Sequence, residues 1–374
     1  MYESFEISTS TGKYVVSIAP EGFAGRLAAY REENARNVVI ADSFFKDSLL
    51  PWVDSFRAVL CYEASESIKS LDAAPALIEQ VRRSGANRQT QFVAIGGGVI
   101  QDLATFAASI YMRGVQWVYI PTTILGMVDS CIGGKSSINV GPYKNLVGTF
   151  HPPLSVFIDP ALARTLPRDQ QVSGIIEAAK ICFCRGSDAF QRYLQCSPGP
   201  DMETGELATL ISLSLRAKKW FIEIDEFDQK ERLLLNFGHT FGHALEGASN
   251  YGISHGIAVG LGILCALEFG RQRLESGAEI YTKAPAVEEL EDHLNAILRS
   301  VPSLTRELAG LRLDDVMERF ESDKKHKQDS YVLILVEPSG KVVFDTVQKS
   351  TESISSIRSA IASVIKSVSE NCNR

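Results

Sequence analysis

His239, His243 and His255 make up half of the six histidines of the chain and lie in one short stretch. His239 and His243 are four residues apart, so a helix places both imidazoles on one face. Glu177 and Lys180, three residues apart on an earlier predicted helix, also share a face. Two imidazoles, a carboxylate and an open position form a catalytic site for a divalent ion, commonly zinc, which polarises a substrate hydroxyl or carbonyl. Spacing leaves open which imidazoles bind metal and which one does acid–base work, and such a pair also occurs in helix capping or packing.

A glycine string indicates a second kind of site. Gly96-Gly97-Gly98 follows an apolar β-rich run and precedes a helix expected from about Asp102. Glycines at that joint let the backbone approach a phosphate, and the first helical N–H groups favour an anion such as a pyrophosphate. Asp42 ends an earlier predicted strand and is placed to accept a hydrogen bond from a ribose hydroxyl. The acid precedes the glycines, so the arrangement differs from the common Rossmann fingerprint, and the alternative is a simple tight turn.

A second loop is suited to an anionic substrate. Backbone N–H groups beside Gly133 and Gly134, with the point charge of Lys135, are typical of a nest for a phosphate or carboxylate. The alternative is a solvated, lysine-rich loop. Asp129 follows apolar Met127 and Val128, which is not typical of a surface position.

Apolar β-rich runs alternate with helical segments in the first half of the chain. This alternation predicts a mostly parallel sheet with helices on both faces. The predicted strands are 37–41, 58–61, 91–95, 116–120 and 155–158, and helical spacing occurs near 71–83 and 102–111.

The pattern changes after Pro167 to long helical stretches. A hairpin is expected around Pro338-Ser-Gly340, between apolar runs at 331–335 and 341–344, and a final helix beyond Thr351. We therefore expect an α/β nucleotide-binding domain over residues 1–166 and a largely α-helical metal and substrate domain over residues 167–374. The helices expected in the second domain are 172–184, 206–223, 237–247, 255–275 and 287–298.

Composition excludes several classes of protein. The 374 residues are enough for two cores. A net charge of -7, with no basic run beyond Lys324-Lys325-His326-Lys327, argues against a nucleic-acid scaffold. The apolar stretches are too short for a membrane span, and residues 1–11 lack a signal pattern, so we expect a cytoplasmic protein. The seven cysteines form no paired motif and are expected to be free thiols.

Taken together, the motifs resemble 3-dehydroquinate synthase, a member of the sugar phosphate cyclases. The resemblance runs in order and with matching spacing from about Asp42 to Lys325. It is carried by Gly96-Gly-Gly-Val-Ile-Gln-Asp102, Tyr111-Met-Arg-Gly114, Ile120-Pro-Thr-Thr123, Val128-Asp-Ser-Cys-Ile-Gly-Gly-Lys135, Lys144-Asn145, Glu177-Ala-Ala-Lys180, and Arg232-Leu-Leu-Leu-Asn-Phe-Gly-His-Thr-Phe-Gly-His243 with His255-Gly256.

The resemblance implies a role for each matching residue. It places a zinc or cobalt ion on Glu177, His239 and His255, and leaves His243 as the polar group near the leaving phosphate. It gives catalytic roles to His243, Lys135, Lys180, Asp129, Asn145, Arg232 and Asn236, and substrate binding to Arg113, Lys144, Lys218, Lys324 and Lys325. It assigns NAD to Asp42, Glu66, Lys69, Gly97, Gly98, Val99, Asp102, Thr122, Thr123 and Thr165.

The implied reaction converts 3-deoxy-D-arabino-heptulosonate 7-phosphate to 3-dehydroquinate and phosphate. NAD oxidises a ring hydroxyl that the metal acidifies, phosphate leaves by β-elimination, the ketone is reduced again, the ring opens and an intramolecular aldol reaction closes a carbocycle. NAD is therefore used without net redox change. The family further implies a homodimer in the shikimate pathway of aromatic amino acid biosynthesis, acting on a small sugar phosphate.

Some positions depart from the family. Asn236 favours a carboxylate-bearing substrate, because cyclases of sedoheptulose 7-phosphate or glucose 6-phosphate tend to carry an acidic residue there. Gln101 stands where the family usually has glycine, Ser136-Ser137 replaces Thr-Gly, and Asp169-Gln170 replaces Arg-Glu. The alternatives are therefore a diverged cyclase of a specialised pathway, a metal-dependent polyol dehydrogenase that accumulates NADH, and a cofactor-binding protein without turnover.

Overall fold

The computed structural model describes residues 3–33, 37–141, 143–276 and 284–372. The chain divides into two compact units, Met1–Leu166 with Glu203–Phe227, and Pro167–Met202 with Asp228–Arg374. The helix expected at 206–223 therefore belongs to the first unit, although its sequence follows the change of pattern at Pro167. Arg216 in this helix explains the placement, because its Nε donates to Glu3 Oε1 at 2.9 Å.

The bounds of the helices and strands are as follows. The strands are β1 Glu3–Thr9, β2 Gly12–Ile18, β3 Val38–Asp42, β4 Ala58–Tyr62, β5 Phe92–Gly96, β6 Trp117–Pro121, β7 Ile138–Val140, β8 Tyr143–Val147, β9 Ser155–Ile158, β10 Ser330–Val336 and β11 Val342–Gln348. The helices are α1 Phe23–Glu33, α2 Lys46–Leu49, α3 Ala74–Arg83, α4 Gly98–Ile110, α5 Arg168–Arg185, α6 Ser187–Gln195, α7 Thr204–Ile224, α8 His239–Ala248, α9 His255–Ser276, α10 Pro285–Leu298, α11 Leu304–Ala309, α12 Leu313–Glu321 and α13 Thr351–Cys372.

The first unit is built on a sheet of seven strands in its described residues, in the order β1-β2-β9-β6-β5-β3-β4. All neighbours run parallel except the β1–β2 hairpin. Each of the five predicted strands occurs within one residue of its expected bounds. The reason is that a strand covered on both faces is apolar along its whole length, as in β5 and β6, where every residue is buried.

Both faces of this sheet are covered. Val93 and Ile95 of β5 pack into one apolar cluster with Leu27 of α1 and with Phe45. Successive side chains of a strand point to opposite faces, and Phe92 meets Tyr111, at the end of α4, with ring centroids 5.8 Å apart. The expected fold class is confirmed.

The carboxyl ends of the parallel strands bring candidate residues to one edge of the sheet. In the β3–β5–β6 register, Ala41 lies opposite Ile95, which lies opposite Ile120. Asp42, Gly97 and Thr122 occupy or directly follow these ends. Ligands of open α/β sheets bind at this edge.

The second unit is mainly helical, and α9 packs against both α5 and α8. Glycine permits this close packing, because a Cβ atom on Gly256 would lie 2.0 Å from the Ser173 carbonyl oxygen, and one on Gly262 2.0 Å from that of Gly238. The expected hairpin is formed by β10 and β11, which pair antiparallel, and α13 is the expected final helix.

Two other expectations concern membrane spans and thiols. Among the described residues no helix combines the length and the apolar character needed to cross a membrane. All seven cysteines are free thiols.

Candidate active site

Three helices of the second unit bring a carboxylate and three imidazoles together. Glu177 of α5 is 1% exposed, and its Oε1 lies 3.8 Å from His239 Nε2 of α8 and 3.5 Å from His255 Nε2 of α9. One ring nitrogen of each of His239, His243 and His255 lies within 4.8 Å of the others. This group of rings is called the histidine cluster below. Glu177 Oε1, the oxygen that faces these imidazoles, has no hydrogen-bond partner among the described residues. A buried anion that faces imidazole nitrogens is the donor set a divalent cation needs, so these residues fit a metal ion.

The charge of Glu177 is balanced by Lys180. Its Nζ lies 2.5 Å from Glu177 Oε2, and the Lys180 side chain is 3% exposed. The expected i,i+3 pair is therefore a buried ion pair, which stabilises a carboxylate that would otherwise be costly to desolvate. Burial, the Lys180 charge and the neighbouring imidazoles hold the pKa of His239 well below its usual value. His239 is thus neutral near pH 7, as a metal ligand must be.

His255 has a second carboxylate behind it. Its Nδ1 lies 3.2 Å from Oε2 of Glu246 in α8. Burial alone would lower the pKa of His255, but the hydrogen bond to Glu246 and the charges of Glu177 and Glu246 raise it. A carboxylate on Nδ1 fixes the tautomer whose Nε2 carries the lone pair. Glu246 was not predicted, although its place three residues after His243 on the same helix is a usable signal.

His243 and Lys325 form the polar remainder of this site. Lys325 Nζ is buried and has no hydrogen-bond partner within the described residues. Burial lowers the pKa of Lys325, an effect that Asp323 opposes. Desolvation, with the charges of His255 and Lys325, lowers the pKa of His243 to about 3. His243 is therefore a neutral imidazole close enough to Lys325 to be affected by its charge.

The remaining predicted residues of the second unit lie on two short segments. Arg232 is buried and Asn236 half-buried, both in the 3-10 segment Glu231–Asn236 that leads into α8. Asn236 Nδ2 donates to the Leu233 carbonyl at 3.0 Å, which orients the amide. Lys324 is exposed, so of the two adjacent lysines Lys325 carries the buried ammonium.

In the first unit, the glycine string forms a compact turn at the start of α4. The helix begins at Gly98, earlier than expected, and Gly97 caps it without a side-chain hydrogen bond to the first N–H groups. A Cβ on Gly97 would lie 2.9 Å from Thr123 Cγ2, whereas Gly98 faces open space. Uncapped N–H groups beside a backbone that no side chain shields fit a pyrophosphate. Asp42 ends β3 as predicted, and its Oδ1 accepts from Phe44 N at 3.0 Å.

The other cofactor positions differ in burial. Thr122 is buried, Thr123 and Val99 are half-buried, and Thr165, at the end of the segment Pro160–Thr165, is exposed. Thr123 Oγ1 accepts from Gly126 N at 3.1 Å.

Predicted cofactor and substrate residues of this unit are joined in one polar network. Lys69 Nζ lies 2.7 Å from Asp102 Oδ2 and donates to Asn145 Oδ1 at 2.8 Å. Glu66 lies 3.6 Å from Lys144 Nζ. Burial raises the pKa of Asp102, and the Lys69 ion pair opposes this rise. Sequence motifs had not predicted these pairings, since they join residues far apart in the chain.

Asp129 lies in a short π-helical turn, Gly126–Ser130. Lys218 Nζ from α7 contacts Asp129 Oδ1 at 2.8 Å and donates to the Asp129 carbonyl at 2.6 Å. This ion pair agrees with the expectation that Asp129 is not an ordinary surface residue. Lys218, which the sequence resemblance places among the substrate-binding residues, is hydrogen-bonded to this turn in the structure.

The loop that carries Lys135 differs from a simple nest. Gly133 and Gly134 have positive φ angles of 101° and 63°, but the Gly133 N–H donates to the Tyr14 hydroxyl at 3.1 Å. One of the two N–H groups expected to bind an anion is thus already used. Lys135 Nζ lies over the Phe150 ring, 5.9 Å from its centroid. Arg113 is exposed at a positive φ of 69°.

Comparison with known proteins gives a consistent result. A family model for the N-terminal part of 3-dehydroquinate synthase matches residues 59–173, and one for the C-terminal part matches residues 174–326. The 3-dehydroquinate synthase of Latilactobacillus sakei subsp. sakei (strain 23K) is 39% identical over 224 residues, 60% of this chain and 63% of that protein, so the match spans less than two thirds of its length. That of Dictyoglomus thermophilum is 36% identical over 71% of this chain and 75% of that protein.

A solved structure extends the likeness to the whole fold. 2-Deoxy-scyllo-inosose synthase, complexed with carbaglucose-6-phosphate, NAD+ and Co2+, superposes with a TM-score of 0.82 at 25% identity. The superposition covers 96% of this chain and 99% of that one.

Proposed function

Since the chain belongs to the 3-dehydroquinate synthase family, we propose that it is a phosphate-eliminating lyase that converts 3-deoxy-D-arabino-heptulosonate 7-phosphate to 3-dehydroquinate and phosphate. The resemblance seen in the motifs is confirmed at the level of the family. Asn236 supports the choice of substrate, because a neutral amide does not repel a substrate carboxylate as an acidic side chain would.

The histidine cluster with Glu177 carries the proposal. Glu177, His239 and His255 would hold the metal, because Glu177 Oε1 faces Nε2 of both of these histidines. A bound divalent ion supplies Lewis acidity toward substrate hydroxyls. Lys180 balances Glu177, and Glu246 keeps His255 in the tautomer that presents Nε2.

His243 and Lys325 suit the departure of phosphate. The Lys325 ammonium can hold a phosphate oxygen, because its charge is buried and lacks a hydrogen-bond partner among the described residues. His243, with a pKa of about 3, is neutral at neutral pH and can accept a hydrogen bond. Arg232, Asn236 and Lys324 would complete the substrate contacts of this unit.

The first unit would bind NAD at the carboxyl edge of its sheet. NAD supplies a reversible hydride acceptor when bound. Gly97, Gly98 and Val99 would receive its pyrophosphate at the start of α4, and Asp42 would receive a ribose hydroxyl. The other residues proposed to support the nucleotide are Glu66, Lys69, Asp102, Thr122, Thr123 and Thr165.

Substrate anions would meet the lysine-rich loops of the same unit. Lys135, Lys144 and Arg113 supply charge, and Asn145 supplies an amide that Lys69 orients. Asp129, held by Lys218, would accept from a substrate hydroxyl. Arg113 is exposed and Lys135 is only partly buried.

The direct test is phosphate release by the wild-type enzyme. With heptulosonate 7-phosphate, NAD and Co2+ or Zn2+, we expect inorganic phosphate to appear without accumulation of NADH. Absence of phosphate at every metal loading would refute the proposal, and net NADH from glycerol-like alcohols would favour a polyol dehydrogenase.

The ligand assignment has its own control pair. His255→Ala should lose bound metal and phosphate release together. His293→Gln removes a histidine of the same unit outside the histidine cluster and should keep both. Activity retained by His255→Ala would contradict the assignment.

A second candidate is a cyclase of glucose 6-phosphate or sedoheptulose 7-phosphate. The structural likeness to 2-deoxy-scyllo-inosose synthase favours it, as do the departures at Gln101 and Ser136-Ser137. A phosphate-release screen across the three substrates separates the candidates. The proposal also includes a homodimer in the cytoplasm. Light scattering of the purified enzyme tests the dimer, and cell fractionation tests the location.

A further inference from the structure

The backbone around Asp129 is fixed by side chains from distant segments. The Asp129 turn is defined here as residues 126–133. Ser214 Oγ of α7 donates to the Val128 carbonyl at 2.9 Å, and Lys218 Nζ donates to the Asp129 carbonyl. A π-helical turn leaves backbone groups outside the usual α-helical pairing, and here side chains take their place.

Gln101 attaches to the same turn through two hydrogen bonds. Its Nε2 donates to the Ser130 carbonyl at 2.7 Å, and its Oε1 accepts from Ser130 Oγ at 2.6 Å. Gln101 is 3% exposed. Both polar ends of a buried amide are thus satisfied by one residue, and that residue directly follows Asp129. A buried pair of this kind rigidifies its surroundings, because breaking it leaves two or more polar groups unsatisfied.

The location of Gln101 gives the attachment a functional meaning. Gln101 lies in the first turn of α4, and its own N–H donates to the Gly97 carbonyl at 3.0 Å. The helix that begins at the glycine string therefore also holds the Asp129 turn. Glycine at position 101 would provide neither bond.

We propose that Gln101 is a positioning residue that holds the Asp129 turn, and with it the Asp129 carboxylate and Lys218, in the geometry that receives the sugar phosphate. This rests on the proposed function for the identity of the ligand. The expected consequence is specific: loss of the Gln101 amide loosens the substrate side while the start of α4 still binds NAD.

The test compares Gln101→Met with a matched variant of the same helix. Methionine keeps the volume of Gln101 but removes both hydrogen bonds. Thr105→Val is the control, since Thr105 is fully buried in α4 and its hydroxyl has no hydrogen-bond partner in the described structure. Ser130→Ala removes only one of the two bonds to Gln101 and provides a second variant should Gln101→Met fold poorly.

We expect Gln101→Met to raise KM for the sugar phosphate about tenfold and Ser130→Ala to raise it by less, with the Kd of NAD unchanged within about twofold. Thr105→Val should match wild type. An unchanged KM, or a Kd of NAD that rises in parallel with KM, would overturn the proposal, since the latter indicates a general defect of α4.

Hydrogen exchange tests the same idea without any substrate. Amide exchange of residues 126–133 should be about tenfold faster in Gln101→Met than in wild type and unchanged in Thr105→Val. Equal exchange in all three proteins would overturn the positioning role. Amide exchange of residues 126–133 can be faster in Gln101→Met even if the wild-type protein does not release phosphate from any of the sugar phosphates. In that case the positioning role stands and the proposed function fails.

Discussion

Glu246→Gln isolates the contribution of the carboxylate behind His255. Glu246 Oε2 lies 3.2 Å from His255 Nδ1, and the Glu246 side chain is 17% exposed. Glutamine keeps an acceptor at this place but loses the negative charge. The ligand atom Nε2 then becomes less basic, and the tautomer that presents it is less firmly fixed.

The expected loss is about tenfold in metal affinity at pH 8, about 1.4 kcal/mol, because removal of such partners costs about 10- to 100-fold and glutamine retains the hydrogen bond. The effect depends on pH. In the metal-free protein the pKa of His255 is raised, against the effect of burial, by Glu246 and Glu177. A proton therefore competes with the metal as pH falls, and wild-type affinity declines. Glu246→Gln lowers that pKa, so the difference between the two proteins should shrink toward pH 6.

The assay is titration of the metal-free enzyme with Co2+ in competition with a chromophoric chelator, at pH 6 and pH 8. Glu268→Gln is the matched control, since it removes a carboxylate of α9 that pairs with Arg271. Equal affinities of wild type and Glu246→Gln at pH 8 would refute the reasoning. The same loss in Glu268→Gln would show a general effect of removing a negative charge from this unit and not an effect of the contact with His255.

Three further predictions concern the second unit. Lys325→Met removes a buried ammonium without a hydrogen-bond partner, so phosphate release should fall about a hundredfold while the free energy of unfolding in urea does not decrease. Gly256→Ala places a Cβ 2.0 Å from a backbone oxygen and should lower the free energy of unfolding by about 3 kcal/mol. Gly260→Ala meets the side chain of Ile176, with Cδ1 at 3.0 Å and Cγ2 at 3.2 Å, and should lower it by about 1 kcal/mol. Burial lowers the pKa of His293 to about 4, so the unfolded state takes up this proton at a higher pH than the folded state does. The free energy of unfolding contributed by neutral His293 should therefore be complete above about pH 6.5 and fall by about 3 kcal/mol as the pH drops to 4. Urea unfolding of His293→Gln should show most of that pH dependence removed.

Strands and helices with a strong local pattern were predictable. The buried strand Phe92–Gly96 is apolar throughout, and α9 begins at His255 as expected. The N-terminal hairpin was not predicted, because Glu3–Thr9 has only two apolar residues, Phe5 and Ile7, and no long apolar run. Its position depends on the pairing of β2 with β9, well over a hundred residues away, and local spacing does not report such a pairing.

The candidate site was predictable as a set of residues but not as a set of pairings. Motifs grouped Glu177 with the histidines, and the structure brings Glu177 Oε1 within 4 Å of His239 and His255. The expected anion nest at Gly133 was only partly correct, because the hydroxyl of Tyr14 takes one N–H. Motif spacing identifies residue types, whereas the partner of a buried polar group depends on tertiary contacts.

The pairings change which cations can attract a substrate. Lys69 faces Asp102, Lys180 faces Glu177 and Lys218 faces Asp129, each within 2.8 Å. An ammonium beside a carboxylate forms a nearly neutral pair and attracts a further anion weakly. Lys325 differs, because its buried Nζ has no hydrogen-bond partner within the described part of the chain. The strongest pull on a phosphate in the second unit is therefore expected from Lys325, while the paired lysines mainly orient the carboxylates they contact.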